Sequence, residues 1–245
     1  MNYTASITDF FKSPKWMMNL LLAAVCGLIP VVGPMVVLGW LIGGFWGRTE
    51  EAYETFPDFN FDRFGKYLER GLWPSLVSLV AGVVCVPVFV ILMFIAMFMI
   101  GGVASGHGHE SSGGLVAIMM LFVGCLVVLL LMIVMFVLTP LMLRACLTQD
   151  FASAFNFAYL KRFISLTKSE LLISILFMGG AGVVLMIVCL VPCLGYLCIL
   201  AAIPPLYFAW THLSKQIYKL YLSRGGEAVP LSPKLSDVPP AMPSA

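Results

Sequence analysis

His107, His109 and Glu110 stand together in GGVASGHGHESSGG, residues 101 to 114, and two imidazoles with a carboxylate are ligand types that suit Zn or Cu. The stretch is glycine-rich, adds no fourth ligand and has nothing rigid to hold the rings. A solvated loop is therefore the expectation, and no metal is assigned. A second candidate is the acidic run TEEAYETFPDFNFD, which holds Glu50, Glu51, Glu54, Asp58 and Asp62. Paired carboxylates can exchange protons with a substrate, but Arg48 and Arg63 flank this run, so a solvated face of mixed charge is the reading. The seven cysteines include no C-x-x-C pair. Cys26, Cys85, Cys125, Cys189 and Cys198 lie in apolar runs, where a free thiol acts as a small apolar side chain. Cys193 falls at a turn, where pairing with a nearby cysteine stays open on an oxidising side. Neither G-x-S-x-G nor H-E-x-x-H occurs. No catalytic residue, metal ligand or cofactor is assigned, and no enzyme activity is expected.

The elements that would position such groups are membrane helices. With 61% hydrophobic and 11% charged residues and a mean hydropathy of +1.01, the 245-residue chain carries more apolar surface than a soluble domain could bury. Its net charge of +2 is too small and too scattered to imply a nucleic-acid partner. Stretches 17–46, 72–100, 115–143 and 171–212 contain no Asp, Glu, Lys or Arg. A span needs about 20 apolar residues, so the middle two are each one span. The first is retained and not a cleavable signal, because Asp9, Phe10 and Phe11 precede it and its apolar character runs on too far. Within these stretches the polar side chains are few: Asn19, Ser75, Ser78, Thr139, Ser174 and Thr211. Ion-coupled transport, which uses intramembrane ionisable groups, is disfavoured.

Charge sets the topology. The 14 Lys and Arg fall before residue 17, within 47–71, within 144–170 and after 212, while 101–114 has none. The positive-inside rule makes 101–114 external and the basic segments cytoplasmic. The stretch 17–46 must then enter and leave on one face, turning at Ile29 to Pro34 in LIPVVGPMVVLGW, with one Pro-kinked span as the alternative. Its halves of about 15 residues would reach roughly 22 Å, which leaves room for a re-entrant or shallow hairpin. By the same logic 171–212 turns at Pro192, Cys193, Leu194 and Gly195. The expected fold is all-α: a polytopic membrane protein of six apolar segments in three hairpins, 17–46, 72–143 and 171–212, joined by cytoplasmic amphipathic helices.

Two segments have the pattern for those amphipathic helices. In FNFDRFGKYLERGL, Phe61, Phe64, Leu68 and Leu72 recur at spacings of three and four, and in DFASAFNFAYLKRFISL so do Phe151, Phe155, Tyr159, Phe163 and Leu166. Each is expected to lie in the headgroup region with its aromatic side in lipid, the second capped by Asp150. A single transmembrane domain, 1–222, is followed by a Pro- and Ser-rich cytoplasmic tail, 223–245, expected to be disordered. Gly43, Gly44 and Gly47, Gly101 and Gly102, and Gly179, Gly180 and Gly182 are candidates for close helix contacts.

The segments FKSPKWMMNLLLAAVCGLIPVVGPMVVLGWLIGGFWG, PDFNFDRFGKYLERGLWPSLVSLV and CLTQDFASAFNFAYLKRFI resemble domain-of-unknown-function family 4013, integral membrane proteins of bacteria and archaea, over roughly residues 9 to 220. The resemblance implies a membrane fold and carries no activity or site residues with it. The resulting expectation is a multi-pass protein of the cell inner membrane with both termini cytoplasmic. Its partners are membrane lipids and either a protein partner or further copies of itself, with no nucleic acid. It serves as a non-catalytic scaffold or accessory subunit; a passive channel or lipid or small-molecule transporter is the alternative, and a membrane-embedded enzyme the last.

Overall fold

A computed structural model describes residues 1–48, 52–105, 112–189 and 194–235. Within them all regular structure is helical: α1 (Tyr3–Thr8), α2 (Trp16–Gly27), α3 (Val32–Trp46), α4 (Phe64–Ser105), α5 (Ser112–Thr148), α6 (Phe151–Ala154), α7 (Phe157–Cys189) and α8 (Leu194–Ser223). Three stretches, Phe61–Phe98, Ala117–Thr148 and Phe157–Cys189, are long and apolar enough to cross a membrane, and the chain is an all-helical membrane protein. The 12 and 15 residues of α2 and α3 correspond to only about 18 and 22 Å at ~1.5 Å per residue. Both are shorter than a hydrocarbon core of roughly 30 Å.

The break between α2 and α3 covers 28–31 and so overlaps only the first half of the expected turn at Ile29 to Pro34, with Gly33 and Pro34 already inside α3. Positive φ is carried by Val31 (φ 65°, ψ −54°) and not by Gly33. These angles, with the 2.7 Å bond from the Val32 N–H to the Pro30 carbonyl, define a γ-turn of the rare, strained hand. Gly33 serves a close approach instead, since a Cβ there would lie 2.0 Å from the Cys26 carbonyl oxygen. A similar close approach of glycine and cysteine recurs further along. A Cβ on Gly195 would come within 2.6 Å of the Cys189 carbonyl oxygen, and the thiols of Cys26 and Cys189 approach the carbonyls of Gly33 and Gly195 at 3.9 and 3.8 Å. Pro192 and Cys193, between α7 and α8, lie outside the described residues, as do His107, His109 and Glu110.

The expected interfacial helices are not separate elements. Residues 64–72 are the opening turns of the 42-residue α4, and 157–168 open the 33-residue α7. Nor does the second aromatic stripe face lipid: Tyr159 and Phe163 are buried, with their ring centroids 5.6 and 5.0 Å from that of Tyr221 in α8. An amphipathic period reports that one face is covered, and here protein covers it. Phe157, off that stripe, is the exposed ring.

The chain divides into two compact units, 1–77 with 139–245, and 78–138. The second unit contains the apolar bodies of α4 and α5, whose side chains over 79–98 and 117–137 are exposed nearly all round, among them Val83, Phe98, Leu121 and Phe122. A helix apolar on every side and unburied by protein is suited to lipid. The first unit has a packed core of Phe10, Trp40, Leu41, Phe45, Phe56, Phe59, Tyr67 and Phe208. There α3, almost wholly buried, crosses the start of α4 at a contact made by two glycines. A Cβ on Gly39 would sit 1.8 Å from the Tyr67 carbonyl oxygen, and one on Gly71 1.8 Å from that of Met35. Of the glycines expected at helix contacts, Gly44 packs on the Phe56 ring, whereas Gly179, Gly180 and Gly182 face open space.

Candidate functional site

The polar chemistry of the first unit is concentrated in the loops and helix ends that its charged segments form. The acidic run supplies one part. Asn19, buried on α2, accepts the Phe59 N–H at 2.9 Å and reaches an Asp58 oxygen at 3.5 Å, while Lys15 pairs with the other Asp58 oxygen at 3.0 Å. Trp40 donates its indole N–H to the Pro57 carbonyl at 2.8 Å, and its ring meets Phe56 and Phe59 edge to face. The Pro57-Asp58-Phe59 segment is thus clamped onto α2 and α3. Arg48 fixes the other end of that loop, donating to the carbonyls of Gly44, Ala52 and Thr55 and lying 5.1 Å over the Phe56 ring. Glu54 and Asp62 are exposed, and Glu50 and Glu51 lie outside the described residues. No catalytic carboxylate pair was assigned to this run, and its Asp58 is committed to Lys15 and Asn19.

A second cluster forms where the amino-terminal segment meets α8. Asp9 and His212 are both buried, with Asp9 Oδ2 3.9 Å from His212 Nε2 and Asp9 Oδ1 2.8 Å from the Lys12 ammonium. The carboxylate of Asp9, through a hydrogen bond and its charge, holds Lys12 above the ordinary lysine value. The His212 ring stacks on Phe45 and stands edge-on to Tyr53. Among the described residues His212 Nδ1 and Ser13 Oγ have no hydrogen-bond partner. Sequence reasoning did not single out this pair. Its only signal was an acid lying among aromatics ahead of α2 and a histidine apart from the other two.

The third part lies at the carboxyl end. Residues 224–235, expected to belong to a disordered tail, are packed. Arg224 bridges to Glu170 and Arg162 to Glu227. The Tyr221 and Tyr218 hydroxyls accept the N–H groups of Glu227 and Val229, and Ser232 donates its N–H to the Leu147 carbonyl at 2.9 Å. Buried Arg70 donates twice to the Lys234 carbonyl, whose side chain pairs with Glu69. Leu235, 2% exposed, joins Leu38, Ile42 and Cys146, with Trp46, Met142 and Tyr207 against them. A composition poor in apolar residues hides such a segment, because a few well-placed anchors suffice once a groove exists.

Between α5 and α7, Asp150 caps α6 by accepting the Ser153 N–H, a bond that holds its carboxyl below the usual range. Arg144 donates to the Ser153 carbonyl and lies 4.9 Å over the Tyr159 ring. Among the described residues no three His, Cys, Asp or Glu side chains are grouped to hold a metal ion, and six cysteines are free. Asn2 and Gln216 exchange hydrogen bonds, so the chain's start is tied to the charged end of α8. A protein-family model described as "Protein of unknown function (DUF4013)" matches residues 22–194. No curated protein and no solved structure matches the chain.

Proposed function

This chain belongs to the DUF4013 family, and we propose that it is a non-catalytic membrane scaffold or accessory subunit that binds lipids or a protein partner. One observation carries this reading: the buried polar groups Asn19, Trp40 and Arg70 end on the backbone of the chain's own loops, while the side chains of 79–98 and 117–137 are largely exposed apolar groups. The polar groups brace a charged layer, and the apolar helices meet lipid or another membrane protein. In this proposal six apolar segments form three hairpins in the cell inner membrane, with both termini cytoplasmic. The first hairpin is shallow, because α2 and α3 are too short to cross. The lack of Lys and Arg in 101–114, set against the basic residues before 17, within 47–71, within 144–170 and after 212, and the link between Asn2 and Gln216 support that arrangement.

A second reading, a passive channel or a lipid or small-molecule transporter, draws on the interrupted backbone at Leu28–Val31. Irregular backbone at membrane depth is tolerated where protein buries it or where it lines a cavity. Extraction into native-membrane discs, followed by mass spectrometry, separates the two. A protein or a defined lipid class retained at fixed stoichiometry is the expected result. Recovery of the chain with only bulk lipid, together with solute flux or lipid scrambling in reconstituted liposomes above that of empty vesicles, overturns the scaffold reading in favour of the channel or transporter.

A further inference from the structure

We propose that residues 224–235 form a releasable strap that closes an apolar groove between α3, α5 and α8. The groove is the one that takes Leu235, walled by Leu38, Ile42, Trp46, Met142, Cys146 and Tyr207. The strap is its resident occupant, and its construction differs from that of the core beneath. It has little internal hydrogen bonding, and its backbone is held by hydroxyls and carbonyls of α5 and α8 and by the Arg70 guanidinium. The two-pronged Arg224–Glu170 bridge at its first residue is the less exposed one, at 40% and 22%, and the ion pairs beyond it are largely exposed: Lys234 and Glu69 at 53% each, and Glu227 at 82%. Pairs of that kind contribute little and are screened by salt. Its apolar anchors are Val229 and Leu235, while Leu231 points outward. A segment with few buried apolar contacts and solvent-facing bonds opens at much lower free energy than the whole fold.

Opening would have a defined consequence. Leu38, Ile42 and Cys146 lose their cover, and Arg70 and Glu69 lose the partners that Lys234 supplies. A closed apolar groove becomes an open one flanked by a cation and an anion. The scaffold reading is not needed for this inference, which rests on the strap's own contacts.

The test follows Cys146. In full-length protein keeping Cys146 as the sole cysteine, purified in detergent, a water-soluble maleimide should label slowly. Leu235→Asp should raise the rate about tenfold or more, equivalent to ~1.4 kcal/mol of lost closure. Cleavage at a protease site inserted between Glu227 and Ala228, applied after folding, should do the same while the thermal unfolding transition persists. If Leu235→Asp fails to fold, the cleaved sample decides. Labelling that is unchanged after complete cleavage, or already as fast as in unfolded protein before it, overturns the proposal.

Discussion

Gly39 and Gly71 occupy the tightest crossing in the first unit, each pressed against the backbone of the other's helix. A methyl group at either position has nowhere to go, because the atoms it meets are backbone carbonyls and not flexible side-chain ends. Gly39→Ala and Gly71→Ala should each lower stability by about 1–3 kcal/mol, the usual range for overpacking. Gly65→Ala, in open space on the same α4, should be neutral or slightly stabilising, since alanine is the better helix former. Thermal unfolding of the three variants in one detergent checks this, and equal losses at all three positions would contradict the crossing. Sequence could nominate glycines as contacts but could not choose among 22 of them. The choice depends on which residues two helices bring into register. Asn19 shows the same limit: it read as an isolated polar group in an apolar run, and its bond to the Phe59 N–H makes it a loop anchor.

At the level of elements, the break falls at 28–31, and a turn within Ile29 to Pro34 was legible because proline removes a backbone donor and restricts the residue before it. The residue bearing the strain was not, since nothing in the composition marks Val31 for a positive φ. A β-branched residue in that conformation is disfavoured, and Val31 is exposed, so its side chain contributes little packing. Val31→Gly should therefore stabilise the protein by about 1 kcal/mol, the relief of left-handed strain less glycine's added entropy in the unfolded chain. A rise in unfolding temperature is the expected readout, and a fall would show that the side chain is needed. The segments 61–72 and 151–166 were expected as amphipathic helices lying at the headgroups, and residues 64–72 and 157–166 instead open the long α4 and α7. Their period is the same whether lipid or protein lies opposite, and only the contacts with Tyr221 identified the cover of the second.

For the whole molecule, membrane residence follows from composition, and the orientation proposed here follows from charge. A cysteine introduced as Gly108→Cys in a background otherwise free of cysteine should react with a membrane-impermeant maleimide added outside intact spheroplasts. Val31→Cys in the same background should not react, because a shallow hairpin entered from the cytoplasm leaves its tip below the outer surface. Labelling of residue 108 only from the cytoplasmic side would invert the topology. Labelling of residue 31 from outside would make α2 and α3 a crossing pair.

Sequence by itself determined the solvent, the helical class, the family resemblance and the break between α2 and α3. Each depends on local composition, spacing or covalent restriction. Tertiary structure decided which glycines touch, that Asp9 and His212 meet, that Asp58 is clamped by Lys15 and Asn19, and that residues 224–235 are packed. These are pairings between distant segments, such as Arg70 with Lys234 and Asn2 with Gln216. Such a pairing depends on the position of both partners, and neither local stretch encodes that alone.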